Sequence, residues 1–406
     1  FLFEKNSPLQ DTMRAIQNLI ILLASNTSWL NDRLQKFDLE VRDFTDTGRG
    51  LGTMRDRRVG EVLLEVSDPL TPKEIIKRFK NIHSTALATQ SLTDEQILSL
   101  GILELKAEQD QYALSLPDKQ YSVLTMPSTL KECLPRCYDA SIKASQESAL
   151  HLYQQIKINS KSPPSLDDFL WAFSTVRSRS LLAPEYESHP LLVPGPGSRI
   201  LLPAFDILNH KIGAKSSLEL LQDKENELVW RLTANEAYKA GDQVFLSYGN
   251  RDNLKLFFTY GFCLRNNPNN LALFDLDDLL QACAITRPNL FSKNIVARIK
   301  PQLEAAVGNT RGEERAMFSH DMKGPRDSLI GGIGMMQQVA GQLSSETDDD
   351  FSKDITKCLR DIRCREIRKG LSELEKLTDI EEGWDTAKQF IRILLEAENS
   401  LLAMSG

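Results

Sequence analysis

Arg199-Ile-Leu-Leu-Pro-Ala-Phe-Asp-Ile-Leu-Asn-His210, followed by Gly241-Asp-Gln-Val-Phe-Leu-Ser-Tyr-Gly249 and Phe257-Phe-Thr-Tyr-Gly-Phe262, decides how this chain is read. The first run reads as an apolar strand over Ile200 to Ala204, yet it leads to Asp206, Asn209 and His210. An apolar segment has no structural need for those three side chains, and places that break a local rule are where function tends to sit. The second run is a strand over Val244 to Ser247 that leaves the Lys239-Ala-Gly-Asp242 turn and ends on Ser247-Tyr248-Gly249, which places a phenol at a strand tip beside a flexible glycine.

Upstream, Phe37 to Phe44 alternates as a strand, Thr45 to Gly52 is a glycine-rich turn, and Val59 to Val66 alternates again. Strand, glycine turn, strand is not the strand-to-helix setting of a phosphate-binding loop, so nucleotide readings of the glycines fail on context. From about 72 to 180 the texture is helical, with a capping box at Thr93-Asp-Glu-Gln96 and a looser one at Ser165-Leu-Asp-Asp168. Strands return at Leu218 to Leu221 and Leu228 to Thr233, joined by the polar turn Asp223 to Asn226. Beyond about 271 the spacing is helical, as at Leu279 to Ile285, Ile295 to Val307, Ile355 to Leu377 and Trp384 to Met404, with the charge-dense Ser344 to Asp350 read as a solvated loop. Residues 11–24 carry Met13, Ile16, Leu19, Ile20 and Leu23 on one face and read as a lead-in helix.

A chain of 406 residues, 41% apolar and 26% charged, is globular and long enough for two or three domains. A net charge of −7 argues against a broad phosphate-binding face, so the expected partner is a protein or small molecule and not nucleic acid. No apolar run approaches the ~20 residues that span a bilayer, and no membrane association is expected. The six cysteines are dispersed, with only Cys133 and Cys137 one helical turn apart, which favours free buried thiols in the cytosol or nucleus over a metal site. The chain begins at Phe1, so an upstream segment is expected to be missing.

Five stretches, taken together and in order, carry a family resemblance: Thr47-Gly-Arg-Gly-Leu-Gly52, Trp171 to Ser180, Asp206-Ile-Leu-Asn-His210, Tyr248-Gly249, and Asn253 to Phe262. The sequence resembles the SET-domain methyltransferases of the Rubisco large-subunit methyltransferase type, a class acting mostly on non-histone proteins. The resemblance covers residues 30–270, and the last third matches only in texture. It implies an α+β protein with a SET fold of small β-sheets, a helical insertion and an all-α C-terminal substrate-binding domain. The corresponding division is an N-terminal helix at 1–24, SET core at 25–85 and 181–270, insertion at 86–180 and the C-terminal domain at 271–406.

The resemblance also assigns S-adenosylmethionine as cofactor, with no metal. Its binding residues would be Arg49, Gly50 and Leu51 through their backbone, Asn209 and His210, Tyr248, and Arg179, whose planar fork suits the methionine carboxylate. Leu181, Asp206 and Tyr260 would meet the substrate, and Tyr248 would be catalytic. Taken singly, Arg179 reads as a surface ion pair, Asp206 as a structural carboxylate and each tyrosine as a core aromatic. Two positions depart from the pattern: Lys211 brings a cation next to the Asn-His pair, and Leu181 stands where an aromatic is common.

Methyl transfer to an amine asks little of a general base. A lysine of pKa near 10.4 is neutral roughly once in a few thousand molecules at pH 7, a cost of about 4.6 kcal/mol, and a dry channel beside a sulfonium charge lowers that cost. The expected activity is protein-lysine N-methylation of a non-histone target, such as a translation-machinery protein, by a monomer that docks its substrate on the C-terminal helices. Protein-histidine methylation, a non-catalytic interaction protein that kept the fold, and a helical adaptor are the competing readings. The adaptor leaves Asp206, Asn209, His210 and Tyr248 without a reason.

Overall fold

Strands β1 (Leu39–Phe44) and β2 (Gly48–Thr53) pair antiparallel from Leu39↔Thr53 to Phe44↔Gly48, and the turn closes on Gly48, whose φ of +66° an L side chain rarely adopts. This hairpin comes from a computed structural model that describes residues 29–89, 92–186, 190–192, 197–222, 228–307, 318–321, 324–343, 350–378 and 384–404. The expected lead-in helix, the turn Asp223 to Asn226, and residues 344–349 of the expected loop lie outside those residues.

Contacts divide the chain into two compact units, residues up to Gln120 with Gln155–Asn250, and Tyr121–Gln154 with Arg251 onward. In the first unit, β3 (Val62–Val66), β4 (Leu181–Ala183), β5 (Ser198–Ile200), β6 (Asn209–His210), β7 (Ser216–Gln222), β8 (Leu228–Ala234) and β9 (Gln243–Leu246) complete three small sheets with the hairpin. Their orders are β1-β2-β9-β6, β3-β8-β7 and β4-β5. Strand β9 pairs antiparallel with β2 through Leu51↔Val244 and Gly52↔Gln243, and parallel with β6 through Asn209↔Phe245 and His210↔Leu246. Leu39, Leu51, Leu64, Ile200, Leu232 and Val244 are fully buried in the core beneath these sheets.

The apolar run expected as a strand to Ala204 stops earlier. Pro203 has no N–H to give a ladder, Ala204 takes φ +79°, and a 3₁₀ turn over Phe205–Ile207 follows. That left-handed alanine is backbone strain placed two residues before Asp206.

The capping box at Thr93 forms, and at Ser165 the expected box is a simple N-cap. Thr93 N–H donates to Gln96 Oε1 at 2.8 Å ahead of the helix Asp94–Ala107, and Asp168 N–H donates to Ser165 Oγ at 3.1 Å ahead of the helix Leu166–Arg179. The two helices pack on each other. Trp171 Nε1 donates to Pro117 O at 2.9 Å, fixing the second helix to the insertion.

The second unit is helical, with the helices Leu276–Thr286, Asp327–Leu343, Phe351–Lys376 and Asp385–Met404 around Phe274, Phe291, Met336, Leu359 and Leu395. One small antiparallel sheet of β10 (Ala272–Phe274), β11 (Phe318–Asp321) and β12 (Gly324–Pro325) accompanies them. Arg363 is fully buried inside this unit. It donates to Glu366 at 3.1 Å, Glu398 at 2.9 Å, Asp278 at 3.0 Å and Cys137 Sγ at 3.0 Å, and lies over the Tyr138 and Phe274 rings. Among the described residues no helix is long and apolar enough to cross a membrane, and no group of three His, Cys, Asp or Glu could hold a metal ion.

Candidate functional site

Strand β9 runs past its last ladder pair to deliver Tyr248, and the His210–Leu246 pairing sets the imidazole under it. Tyr248 N–H donates to His210 Nδ1 at 3.0 Å, its ring stacks on the imidazole with centroids 5.1 Å apart, and its hydroxyl donates to Leu208 O at 2.5 Å. The phenol is therefore held at its backbone, its face and its oxygen, which removes most of its rotamer freedom. His210 Nδ1 also lies 3.4 Å from Leu246 O, but the shorter contact with the Tyr248 N–H requires a lone pair on that nitrogen. Burial pushes the imidazole pKa down, with the Leu246 carbonyl opposing, so the ring is neutral at pH 7.

The hairpin reaches the same place from the far end of the sequence. Asn209 Nδ2 donates to Arg49 O at 3.0 Å and Thr47 O at 3.3 Å, so the Asn-His segment is tied to the backbone of the glycine run. A Cβ at Gly50 would lie 2.3 Å from Gln243 Nε2 and 2.9 Å from Asn209 Nδ2, which is why this position carries none. Of the residues of β2, β9 pairs with Leu51 and Gly52, which leaves Arg49 and Gly50 laddered on the β1 side. The Leu51 side chain is fully buried in the core, so only its backbone is available to a ligand.

Arg179 and Asp206 form the third part. The helix Leu166–Arg179 ends on Arg179, whose Nη1 donates to the Asp206 main-chain carbonyl and lies 3.7 Å from Asp206 Oδ2. Tyr112, on the helix Gln111–Ser115, donates its hydroxyl to the same Oδ2 at 3.2 Å. Arg49 Nη1 donates to Ser115 O at 3.1 Å; burial pushes its pKa down, the Arg179 cation adds to that, and Asp206 opposes it. Burial pushes the Asp206 carboxyl above the usual carboxylate range, against Arg179, the Tyr112 hydroxyl and Arg49. Three buried polar atoms here have no partner among the described residues: Arg179 Nε, Asp206 Oδ1 and Gln243 Nε2. Buried polar atoms left open cost about 1–3 kcal/mol each; a carboxylate could satisfy Arg179 Nε, and an incoming N–H could satisfy Asp206 Oδ1.

The structure thus brings together Arg49, Gly50, Arg179, Asp206, Asn209, His210 and Tyr248, with Leu51 buried beneath them. Leu181 opens β4, two residues after Arg179, and packs against the core of the first unit. Tyr260 belongs to the second unit, where it ends the helix Asn253–Tyr260 with its ring 6.1 Å from that of Phe262. Lys211, the departure beside the Asn-His pair, holds its ammonium 5.3 Å from the Phe245 ring centre. Tyr112 and Gln243 carry no sequence signal; a tyrosine in a helical insertion and a glutamine in a strand look like packing and surface.

A hairpin joined through a late strand to an Asn-His segment, with a tyrosine at that strand's tip and helices inserted between the halves, defines the SET fold. The chain has this fold, in the architecture of LSMT. It matches a crystal structure of the SET domain of LSMT bound to lysine and AdoHcy at a TM-score of 0.58 and 19% identity, over 95% of this chain and 90% of that one. In sequence it is similar to Protein SET DOMAIN GROUP 40 of Arabidopsis thaliana, 27% identical over 65% of this chain and 60% of that protein. It is also similar to the actin-histidine N-methyltransferase of Danio rerio, 23% identical over 57% of this chain and 40% of that protein. The chain therefore spans less than two thirds of the length of these relatives, and no family model matches it.

Proposed function

We propose that this chain is an S-adenosylmethionine-dependent protein methyltransferase whose first acceptor is the side-chain nitrogen of a lysine in a non-histone protein. The observation that carries this reading is Tyr248, fixed by His210 and the Leu208 carbonyl at the point where the hairpin and the Asn-His segment meet. With its proton directed to Leu208, a phenol oxygen at this point has the chemistry to accept an N–H from the acceptor and turn its lone pair toward the methyl group.

S-adenosylmethionine would supply a methyl group activated by a sulfonium charge, and that charge lowers the pKa of a neighbouring lysine. Arg179 would hold its carboxylate, and Asn209, the His210 backbone and the Arg49 to Leu51 backbone would hold the rest. Asp206 and Leu181 would meet the acceptor side chain, and the C-terminal helices would dock the protein that carries it. The part of the SET core before the insertion is taken as 25–85 and the part after it as 181–270. The protein is proposed to act as a monomer in the cytosol or nucleus, consistent with free cysteines of which five of six are buried.

The similarity to actin-histidine N-methyltransferases favours histidine as the second acceptor. Incubating the chain with labelled S-adenosylmethionine and an extract lacking it, then locating the label by mass spectrometry, tests both. Label on lysine supports the first reading, label on histidine the second, and no labelled protein rejects both.

A further inference from the structure

We propose that Tyr112, contributed by the helical insertion, is a positioning residue for the transfer: its hydroxyl holds one oxygen of Asp206 so that the other stays open to the incoming acceptor nitrogen. This rests on the methyltransferase reading above. The Asp206 side chain is only 3% exposed, and its two oxygens are treated differently. Oδ2 accepts from Tyr112 and faces Arg179, whereas Oδ1 has no partner among the described residues.

Tyr112 is itself fixed. Asp110 caps its helix by accepting from the N–H groups of Tyr112 and Ala113 at 3.0 and 3.3 Å, and the ring, 6% exposed, lies 6.4 Å from that of Trp29. A ring needed only for packing would not require its oxygen on a buried carboxylate, and phenylalanine would serve as well. The groups that face Asp206 are Arg179 from the helix end, Tyr112 from the insertion and Arg49 from β2. Of these, Tyr112 alone is uncharged and removable without changing the local charge. Burial raises the Asp206 pKa and the phenol O–H opposes that rise. Losing the O–H lets the carboxyl take up a proton at higher pH, and in that form it carries no charge and its oxygens are weaker acceptors.

The test uses the full chain labelled with ¹³C at its aspartate carboxyls, the Asp206 signal being identified by its loss in Asp206→Asn. In Tyr112→Phe that signal is expected to titrate at a higher pH than in the wild type, with S-adenosylmethionine affinity within about two-fold because packing is kept. Measured at two pH values either side of the variant's own Asp206 titration, transfer of labelled methyl to extract proteins is expected to fall about ten-fold at the lower and to recover to within about three-fold at the higher. An unshifted Asp206 titration, or a loss of transfer equal at both pH values, overturns the proposal. A wild-type chain that transfers no label rejects the methyltransferase reading; an active wild type with an unshifted titration in Tyr112→Phe rejects the Tyr112 role alone.

Discussion

Each compact unit sets an arginine against a buried carboxylate, Arg363 fully buried and Arg179 22% exposed, and the two clusters are finished differently. Around Arg363 every oxygen of Asp278 and Glu398 has a donor: Asp278 accepts from Arg136, Arg363 and the Asp275 N–H, and Glu398 from Arg363 and the Tyr138 hydroxyl. Around Arg179 the arginine Nε, one oxygen of Asp206 and the Gln243 amide nitrogen are left open. A closed network fixes how helices pack, whereas an open one stores binding capacity for a molecule from outside. Of the unsatisfied buried polar atoms among the described residues, these three lie where the Asn-His segment meets the hairpin.

The difference can be broken from either side. Arg363→Met leaves Asp278 and Glu398 buried without their cation and should destabilise the second unit by about 3–5 kcal/mol, read by denaturant unfolding. A loss under about 1 kcal/mol would mean the closed network is not holding the helices. Tyr248→Phe should unfold like the wild type and bind S-adenosylmethionine, yet lose methyl transfer by about 10²-fold or more. Wild-type turnover in that variant would remove Tyr248 from the chemistry. Gly50→Ala forces the Gln243 and Asn209 amides aside and should cost about 1–3 kcal/mol of stability while weakening cofactor affinity; an unchanged affinity would show that the Gly50 edge is not part of the site.

The smallest effect concerns pH. Burial, against Arg363 and Tyr138, pushes the Glu398 carboxyl from its ordinary range to about 7. A carboxyl whose folded pKa is raised contributes stability below its unfolded value of about 4.5, and that contribution is lost as pH rises through about 7. Glu398→Gln should therefore be closer in stability to the wild type at pH 7.5 than at pH 5, by on the order of 1 kcal/mol, in paired unfolding curves. A gap that widens with pH would reverse the sign of this contribution.

Much of the open cluster was legible in the sequence because it broke local rules. Asp206, Asn209 and His210 ended an apolar run, Gly50 sat where a turn alone needed only Gly48, and Tyr248 stood at a strand tip. Capping signals at Thr93 and Ser165 placed two helices for the same kind of reason, a short-range hydrogen-bond pattern written in adjacent residues. Long-range partners were not legible. Tyr112 lies 94 residues from Asp206, and nothing local marks its hydroxyl for a carboxylate. Arg363 sits in Phe351–Lys376, a helix so rich in charge that its arginine reads as solvated. Residues 121–154 read as part of an insertion, and by contact they group with the residues from Arg251 onward. β10 to β12 are too short to stand out from the helical spacing around them.

Calorimetric titration of the intact chain with S-adenosylmethionine, beside the same titration of Arg179→Gln, tests the open cluster most directly. The account expects one site per chain in the wild type and an affinity about ten-fold or more lower in the variant, since a charge-assisted bond to a carboxylate is lost. No heat of binding in a folded wild-type chain, or equal affinity in the two, would contradict it.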